Sequence, residues 1–297
     1  MNKHDIKMKI HFTQNFLKSP ELIKQLLAKT SIGSDDVIYE IGAGTGIITS
    51  VLTQFCKKVI ALELDARLYN SLKNKFQSIP NIELRHGDFL KEVLPSYEYK
   101  IFSNVPFMIT SDVVKRLLNS PYPPIDTYLI VQKEFADKIL GDQKENILSI
   151  TTKPWFDIQT IHTFSPNDFH PTPKVNIVLL RLQKKVSMLI DNQNKELFKD
   201  FVVYSFTHSG PTLQKSLKDI FTKEQFQRLA YDLKFSNKVK PTEITFEKWL
   251  GLFTFFLKID GRKHELVKGS SLRLEREQDK LQKIHRTRTD KDWKKLK

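Results

Sequence analysis

The amino-acid sequence predicts an α/β fold, in which a parallel sheet with helices on both faces precedes a small all-helical domain. Three observations support this prediction. Between residues 19 and 140, short apolar segments alternate with amphipathic segments of helical period, which is the order of a β-α-β chain. After about residue 184 the apolar residues recur only at helical spacing, and from residue 261 onward charged residues dominate.

The first 120 residues contain four strand-like segments, each followed by a helix or a turn. Residues 19–30 open the series as a helix, because Ser19 suits the N-cap and Pro20 suits the first helical position. Strands are expected in VIYEIGAGTG (37–46), which runs into a glycine loop, and in KVIALELD (58–65), IELRHGDF (82–89) and YKIFSNVPF (99–107), with helices at 47–56, 66–76 and 110–119.

The rest of the chain completes the sheet and adds two further regions. A strand and a helix are expected at 126–140, and two strands at 155–164 and 174–182. The segment SPNDFHPTP between those two strands has three prolines, which exclude regular structure. We therefore expect a sheet domain over residues 1–183, a helical domain over 184–260 and a basic tail over 261–297 that is either disordered or a fraying helix. The tail has 13 Lys/Arg against six Asp/Glu, so it is either a solvated end or a nonspecific contact for nucleic acid.

Composition narrows the class of protein. The 297 residues carry a formal net charge of +14, which favours a polyanionic partner, such as nucleic acid or an anionic membrane surface, over a merely solvated surface. The single Cys56 excludes an intramolecular disulfide and a cysteine-based zinc site, and the histidines form no ligand pattern, so no metal is expected. The longest apolar stretch, residues 249–257, is too short to cross a bilayer, and the polar N-terminus lacks the apolar segment of a signal peptide. We expect a cytoplasmic protein.

A glycine-rich loop joins the first predicted strand of the sheet to a helix. Its sequence, EIGAGTG (40–46), lets the backbone approach a ligand at the carboxyl edge of a Rossmann-like sheet, where such folds bind cofactors. The spacing is G-x-G-x-G, whereas the dinucleotide fingerprint requires a third glycine where this chain has Ile47. A nicotinamide-dependent dehydrogenase is therefore disfavoured.

Two acidic residues follow the next two strands. Glu63 ends the second strand, where a carboxylate can accept both ribose hydroxyls of an adenosyl group, and Asp88 ends the third, where it can accept the adenine amino group. No lysine follows the glycines as a triphosphate site would require. The three strand ends together predict a site for S-adenosyl-L-methionine, which has no phosphate. The alternative is a tight turn with both acids in solvent.

The fourth strand ends in Asn104-Val105-Pro106-Phe107, which is either a plain turn or a substrate site. An exocyclic amine such as adenine N6 is a poor nucleophile, because its lone pair is delocalised into the ring. The Asn104 side-chain carbonyl and the Val105 backbone carbonyl are suited to accept its two N–H bonds, while Pro106 fixes the turn and Phe107 stacks on the base. Beside a methyl donor, the substrate interpretation is favoured.

Six motifs, in this order and with this spacing, resemble the rRNA adenine N6-methyltransferases. They are QNFL (14–17), EIGAGTG (40–46), ALELD (61–65), GDF (87–89), SNVPF (103–107) and FHPTPKV (169–175). Within that family the chain is most similar to the Erm methyltransferases, which modify an adenine in 23S rRNA and confer macrolide, lincosamide and streptogramin B resistance. The resemblance covers roughly residues 10–257 and implies a class I methyltransferase sheet domain with a C-terminal helical RNA-binding domain.

The resemblance also assigns roles to individual residues. Phe169 is expected to support the flipped adenine on the face opposite Phe107, which would offset the energy of base flipping. Many family members have Tyr in place of Phe107, and stacking survives the loss of that hydroxyl. The implied cofactor-binding residues are Gln14, Asn15, Leu17, Gly42, Gly44, Glu63, Asp88 and Asn104, and the implied catalytic residues are Asn104, Val105, Pro106, Phe107 and Phe169.

Three other functions are weighed against the Erm interpretation. The housekeeping small-subunit rRNA dimethyltransferases share the fold and the chemistry. They usually have Asn at the position of Met108, and the segments WFDIQTIHTFSPNDFHPTPKV and ITFEKWLGLF also favour Erm. A non-catalytic RNA-binding protein would not need the glycine loop, the two acids or Asn104. A dehydrogenase would need a hydride-site histidine. The expected partner is an unpaired adenine in the peptidyl transferase region of 23S rRNA, with no membrane partner. A monomer is implied by the resemblance, and the number of methyl groups added, one or two, stays open.

Overall fold

The structure, a computed structural model, describes residues 15–208 and 210–280. It divides into two compact units at Asp191/Asn192, eight residues beyond the predicted boundary. The first unit extends this far because the chain after the last strand stays bonded to it. Lys185 N–H donates to Trp155 O at 2.8 Å, and Leu189 N–H donates to Pro154 O at 3.0 Å.

The described part of the first unit, residues 15–191, contains nine strands in two sheets. The seven-stranded sheet has the order β4-β3-β2-β5-β6-β9-β7, and β1 pairs with β8 in a separate two-stranded sheet. The strands are β1 (Phe16–Leu17), β2 (Val37–Ile41), β3 (Lys58–Glu63), β4 (Ile82–His86), β5 (Lys100–Asn104), β6 (Asp126–Gln132), β7 (Phe156–Thr163), β8 (Phe169–His170) and β9 (Ile177–Lys184).

The sheet is mixed, so the prediction of a parallel sheet is correct only for its first five strands. β4, β3, β2, β5 and β6 run parallel, whereas β9 lies antiparallel to both β6 and β7. A parallel return requires a crossover of a dozen or more residues, usually a helix. The proline-containing segment between β7 and β9 contains only a short 3₁₀ turn and the two-residue β8, so the chain comes back antiparallel.

Six helices connect these strands within residues 15–191, and local sequence explains where they begin. The predicted cap is confirmed, since Ser19 Oγ accepts Leu22 N–H at 3.1 Å. Asn146 begins an additional helix with a capping box shared with Ser149, and this helix was not predicted. The helices are α1 (Pro20–Leu27), α2 (Ile47–Leu52), α3 (Ala66–Lys75), α4 (Thr110–Leu118), α5 (Lys133–Leu140) and α6 (Ile147–Thr152).

The strand order reverses between β2 and β5, which lie side by side although two strands separate them in sequence. Open α/β sheets bind ligands at the carboxyl edge of such a switch point. The ends of β2, β3, β4 and β5 therefore bring the glycine loop, Glu63, Asp88 and Asn104 to one edge. The small β1–β8 sheet connects the N-terminal segment to the region after β7, because it pairs residues 16–17 with 169–170. The expectation that prolines exclude any strand in this segment is wrong for β8.

The second unit is helical, as predicted. Its helices are α7 (Lys195–Thr207), α8 (Leu213–Ser216), α9 (Lys223–Asp232), α10 (Phe246–Phe256), α11 (Gly261–Val267) and α12 (Ser270–Lys280). Phe201 of α7 contacts Trp249, Phe253 and Phe256 of α10, with ring centroids 4.6 to 6.2 Å apart. These aromatic contacts form the centre of the unit.

Of the two alternatives predicted from residue 261 onward, disorder is wrong for residues 261–280, which form the helices α11 and α12. Asp200, a buried residue of α7, accepts the backbone N–H groups of Gly269 and Ser271 at 2.7 and 2.8 Å. These N–H groups at the start of α12 would otherwise lack partners. Val267 is completely buried. A carboxylate about 70 residues away thus orders a segment whose own composition is charged, and residues 281–297 lie outside the described part of the chain.

Candidate active site

The glycine loop follows β2 and is bonded to β3. Gly42 and Gly44 have φ values of 74° and 60°, a left-handed conformation that favours glycine. The N–H groups of Gly42 and Ala43 both donate to Leu62 O, at 2.8 and 3.1 Å. A Cβ atom on Gly44 would lie 2.7 Å from Cε1 of Phe16, so this glycine also admits a ring from the N-terminal strand.

Glu63 and Asp88 lie beside a cavity of about 200 Å³. Glu63 is 5% exposed, and its two carboxylate oxygens accept the N–H groups of Gly44 and Asp65, each at 2.8 Å. Asp88 Oδ1 accepts Leu90 N–H at 3.0 Å. A carboxylate has about four acceptor positions, so both groups retain capacity for ligand hydroxyls or amines. Backbone donors therefore fix the orientation of both acids.

The chemistry of this cavity fits an adenosyl group. The two carboxylates supply acceptors for ribose hydroxyls and for the adenine amino group. Leu64, Phe89 and Ile109 supply apolar walls for a purine ring. The cavity also adjoins a second, smaller one, since Gly42 and Pro106 line both. Two adjoining cavities are compatible with the two parts of S-adenosyl-L-methionine, its adenosyl group and its methionine end.

The smaller cavity, of about 20 Å³, has room for roughly one water. It lies between the segment around Phe16, the glycine loop and the turn after β5. Glu40 lines it and is only 1% exposed. Burial raises the pKa of Glu40 to about 8, although the Thr49 hydroxyl donates to its carboxylate at 2.6 Å.

Asn104 ends β5 beside the smaller cavity, and its orientation is determined by one hydrogen bond. Its Nδ2 donates to the backbone carbonyl of Asn15 at 2.7 Å. A backbone carbonyl only accepts hydrogen bonds, so the amide nitrogen must face Asn15. The Asn104 Oδ1 is consequently the end of the amide that is left to accept an N–H bond from another group.

The three residues after Asn104 form a bonded turn. Val105 is buried and Phe107 is half-buried, and both line the smaller cavity. Pro106 O accepts Ile109 N–H at 3.0 Å and the Thr110 hydroxyl at 3.3 Å, in the 3₁₀ turn that precedes α4. The Phe107 ring therefore lies at the cavity wall, on a turn with little freedom to move.

The structure brings most of the predicted residues together, with three exceptions. Gly44 lines neither cavity, although Ala43 and Thr45 on either side of it line the smaller one. Asn15, Leu17, Gly42 and the turn after β5 line the smaller cavity, while Glu63 and Asp88 line the larger one. Gln14 lies outside the described residues. Phe169 is 1% exposed, packs edge to face against Phe164 at 5.2 Å, and lines neither cavity. Its ring belongs to the core because β8 is held against β1.

Several lining residues were not predicted, and two of them, Phe16 and Glu40, lie at the smaller cavity. Phe16 lines the smaller cavity and packs over Gly44, and its position inside the QNFL motif was a usable signal. Glu40 lines the same cavity, and the only signal for it was its place directly before the glycine loop. Among residues 15–208 and 210–280, no group of three or more His, Cys, Asp or Glu could hold a metal ion. Within these ranges no helix combines the length and apolar character needed to cross a bilayer.

Comparison with known proteins agrees with this geometry. Residues 5–258 match the family profile described as ribosomal RNA adenine dimethylase. An rRNA adenine N-6-methyltransferase of Escherichia coli is 30% identical over 89% of this chain and 100% of its own length. One of Bacillus licheniformis is 29% identical over 81% and 84%, respectively. The crystal structure of the 23S rRNA methyltransferase ErmE superimposes with a TM-score of 0.74 at 27% identity, covering 82% of this chain and all of ErmE.

The fold and the two adjoining cavities define an S-adenosylmethionine-dependent methyltransferase of class I. More particularly, the chain belongs to the ribosomal RNA adenine dimethylase family, with Erm-type enzymes among its relatives. The predicted family, cofactor and fold class are thereby confirmed.

Proposed function

We propose that this protein methylates N6 of one unpaired adenine in the peptidyl transferase region of 23S rRNA, once or twice, and so confers macrolide, lincosamide and streptogramin B resistance. The observation that carries the proposal is the orientation of Asn104, which lines the smaller cavity that adjoins the adenosyl-type one. Its Nδ2 is bonded to Asn15, so its Oδ1 is the end left to accept an N–H bond. The likeness to ErmE favours the large-subunit RNA as substrate.

The cofactor site is assigned to the strand ends. Glu63 would hold the ribose hydroxyls and Asp88 the adenine amino group, while Gly42 and Gly44 let the backbone approach the ligand. Asn15 and Leu17 are assigned to its methionine end, and Gln14 to the cofactor site in general. S-adenosyl-L-methionine supplies an electrophilic methyl group on a sulfonium. The two carboxylates would orient the cofactor, which lowers the entropic cost of bringing its methyl group into line with the amine.

The substrate amine is assigned to the turn after β5. Asn104 Oδ1 and Val105 O would accept the two N6–H bonds, which favours a pyramidal nitrogen with its lone pair directed at the methyl group. The two acceptors would hold the nitrogen so that its lone pair can take up the methyl group that the cofactor would supply. One N6 proton leaves from the positively charged nitrogen, so no strong general base is needed.

Stacking would hold the flipped base. Phe107 lines the smaller cavity and is suited to contact one face of the adenine. The role of Phe169 on the opposite face requires β8 to shift, since that ring is buried in the core. The helical unit would contact RNA phosphates. The protein would act as a monomer in the cytoplasm.

The experiment that tests this function uses purified protein, tritiated S-adenosyl-L-methionine and protein-free large- and small-subunit rRNA in parallel. Label recovered as N6-methyladenine from large-subunit RNA is the expected result. Label only in small-subunit RNA would make this the housekeeping dimethyltransferase instead. Cofactor binding with no label in either RNA would favour a non-catalytic RNA-binding protein.

A further inference from the structure

The amide of the proposed catalytic Asn104 is held by a backbone group from the other end of the sheet unit. Asn15 O, which accepts its Nδ2–H at 2.7 Å, lies 89 residues earlier in the chain. Both residues are partly buried at the wall of the smaller cavity. A primary amide can rotate by 180° and exchange its donor and acceptor ends, so a single fixed acceptor decides which end faces the cavity.

Asn15 is in turn held by its neighbours, residues 16–18. Phe16 and Leu17 pair with His170 and Phe169 of β8, and Lys18 N–H donates to Asp168 O at 3.1 Å. These are backbone interactions, which position the main chain itself. The Phe16 ring also packs against Gly44. We call residues 15–18 the N-terminal strap. It contacts the glycine loop on one side and Asn104 on the other.

We propose that the N-terminal strap is a positioning element for methyl transfer, in which Asn15 O keeps Asn104 Nδ2 turned away from the substrate so that Oδ1 accepts the amine. This rests on the proposed function of Asn104. If the amide were rotated, its NH₂ would face the NH₂ of the adenine, and two donors would oppose each other. Activity therefore requires two things of the residue at position 104. It needs an acceptor for the substrate amine, and it needs a hydrogen-bond donor for Asn15 O, which we call the donor requirement.

The same arrangement gives the FHPTPKV motif a role that does not require the Phe169 ring to be exposed. Phe169 and His170 form β8, the strand on which the strap is paired. Their backbone fixes the register of residues 16–17 and hence the position of the Asn15 carbonyl. The motif is thus a positioning segment for Asn104, independent of any stacking by the Phe169 ring.

The donor requirement has a sharp test in Asn104→Asp. An ionised carboxylate offers two acceptors and no donor, and it would repel Asn15 O. A protonated carboxyl restores one O–H donor for Asn15 and keeps one C=O acceptor for the amine. At pH 8 we expect the kcat of Asn104→Asp to be about 10²–10³-fold lower than the wild-type kcat. The ratio of the variant's kcat to the wild-type kcat should rise as the pH falls toward 5.5.

A ratio that is flat or falls toward low pH overturns the proposal, because an acceptor alone would then suffice. The ratio is measured on whichever rRNA the wild type methylates, so a wild type inactive on both RNAs refutes the proposed function and is distinguished from failure of this inference. Asn74→Asp, on an exposed position of α3, controls for the added charge and should show a ratio independent of pH. Thermal unfolding and cofactor binding of both variants verify that they fold.

A second pair of variants tests the strap without altering Asn104. Lys18→Pro removes the N–H that bonds to Asp168, whereas Lys18→Ala removes only the side chain. We expect Lys18→Pro to lower kcat at least tenfold relative to Lys18→Ala, with KM for RNA and melting temperature similar in the two. Equal kcat values would show that pairing of the strap does not position Asn104.

Discussion

Asn104 is the residue on which the proposed chemistry depends most directly. Replacing it by Ala removes the side-chain acceptor and leaves the carboxylates of the adenosyl cavity in place. We expect Asn104→Ala to reduce kcat by about 10²–10³-fold, the loss typical for one preorganised transition-state hydrogen bond. The dissociation constant for S-adenosyl-L-methionine, measured by calorimetry, should change less than about threefold. A parallel loss of cofactor affinity would mean that Asn104 chiefly shapes the cofactor site.

Glu40 gives the sheet unit a dependence of stability on pH. Burial raises its pKa to about 8 in the folded state, whereas an unfolded glutamate ionises near its ordinary value of about 4.3. Between these two pKa values the folded state therefore binds more protons than the unfolded state. The free energy of unfolding consequently falls as the pH rises from about 4 toward 8.

Glu40→Gln mimics the protonated side chain at every pH. The unfolding free energy of this variant, relative to the wild type, should increase by up to about 1.4 kcal/mol per pH unit between pH 5.5 and 7.5. Urea denaturation at both pH values measures this difference. Parallel pH dependence in the two proteins would show that Glu40 is ionised in the folded state.

At single positions, the sequence was informative where a motif and a strand end coincide. Glu63 and Asp88 could be predicted, because the ends of parallel strands meet at one edge of a sheet. The bond between Asn15 and Asn104 could not, since it joins a backbone carbonyl to a distant side chain. The burial of Phe169 was equally hidden, because it depends on the pairing of β8 with β1.

Among the elements, the helices and strands with strong local periodicity were predicted in the right order, although several ends, such as that of α2, differ by three or four residues. The order of β9 and β7 was not, because antiparallel pairing is a property of the connection and leaves no period in the strands themselves. The stable start of α12 could not be predicted for a related reason. Its first N–H groups are bonded to Asp200, which no local pattern links to residue 269 or 271.

The cap provided by Asp200 should have a measurable effect on stability. Asp200→Ala leaves the N–H groups of Gly269 and Ser271 without their carboxylate, a loss of about 1–3 kcal/mol for a buried charged acceptor. Hydrogen exchange of the α12 amides should accelerate accordingly. Asp219→Ala, at an exposed position of the same unit, is the matched control. Similar exchange rates in the two variants would contradict the assigned cap.

For the whole molecule, charge is the property that composition predicted best. The net charge of +14 is distributed unevenly, since residues 281–297 carry seven Lys/Arg against two Asp/Glu. RNA affinity should fall steeply with salt, as expected when phosphate binding releases counterions.

Removal of residues 281–297 should weaken this salt dependence. α11 and α12 stay intact in such a variant, so the helical unit keeps its cap. We expect the slope of log K against log salt to become less negative by about 0.7 for every single-stranded phosphate that the shortened protein no longer neutralises. Fluorescence anisotropy with labelled rRNA fragments measures the slope. An unchanged slope would assign RNA binding to the two folded units alone.

The pairing of β1 with β8 also sets the earliest moment at which the enzyme can work. Residues 16–17 leave the ribosome long before residues 169–170, and they have no partner strand until those residues have emerged. The glycine loop and the turn after β5 can form sooner from shorter chains, because N-terminal segments generally fold first during synthesis. A nascent chain that stops before Phe169 would carry the cofactor carboxylates but leave Asn104 unanchored. The protein therefore completes its active site only after nearly the whole sheet unit has been translated.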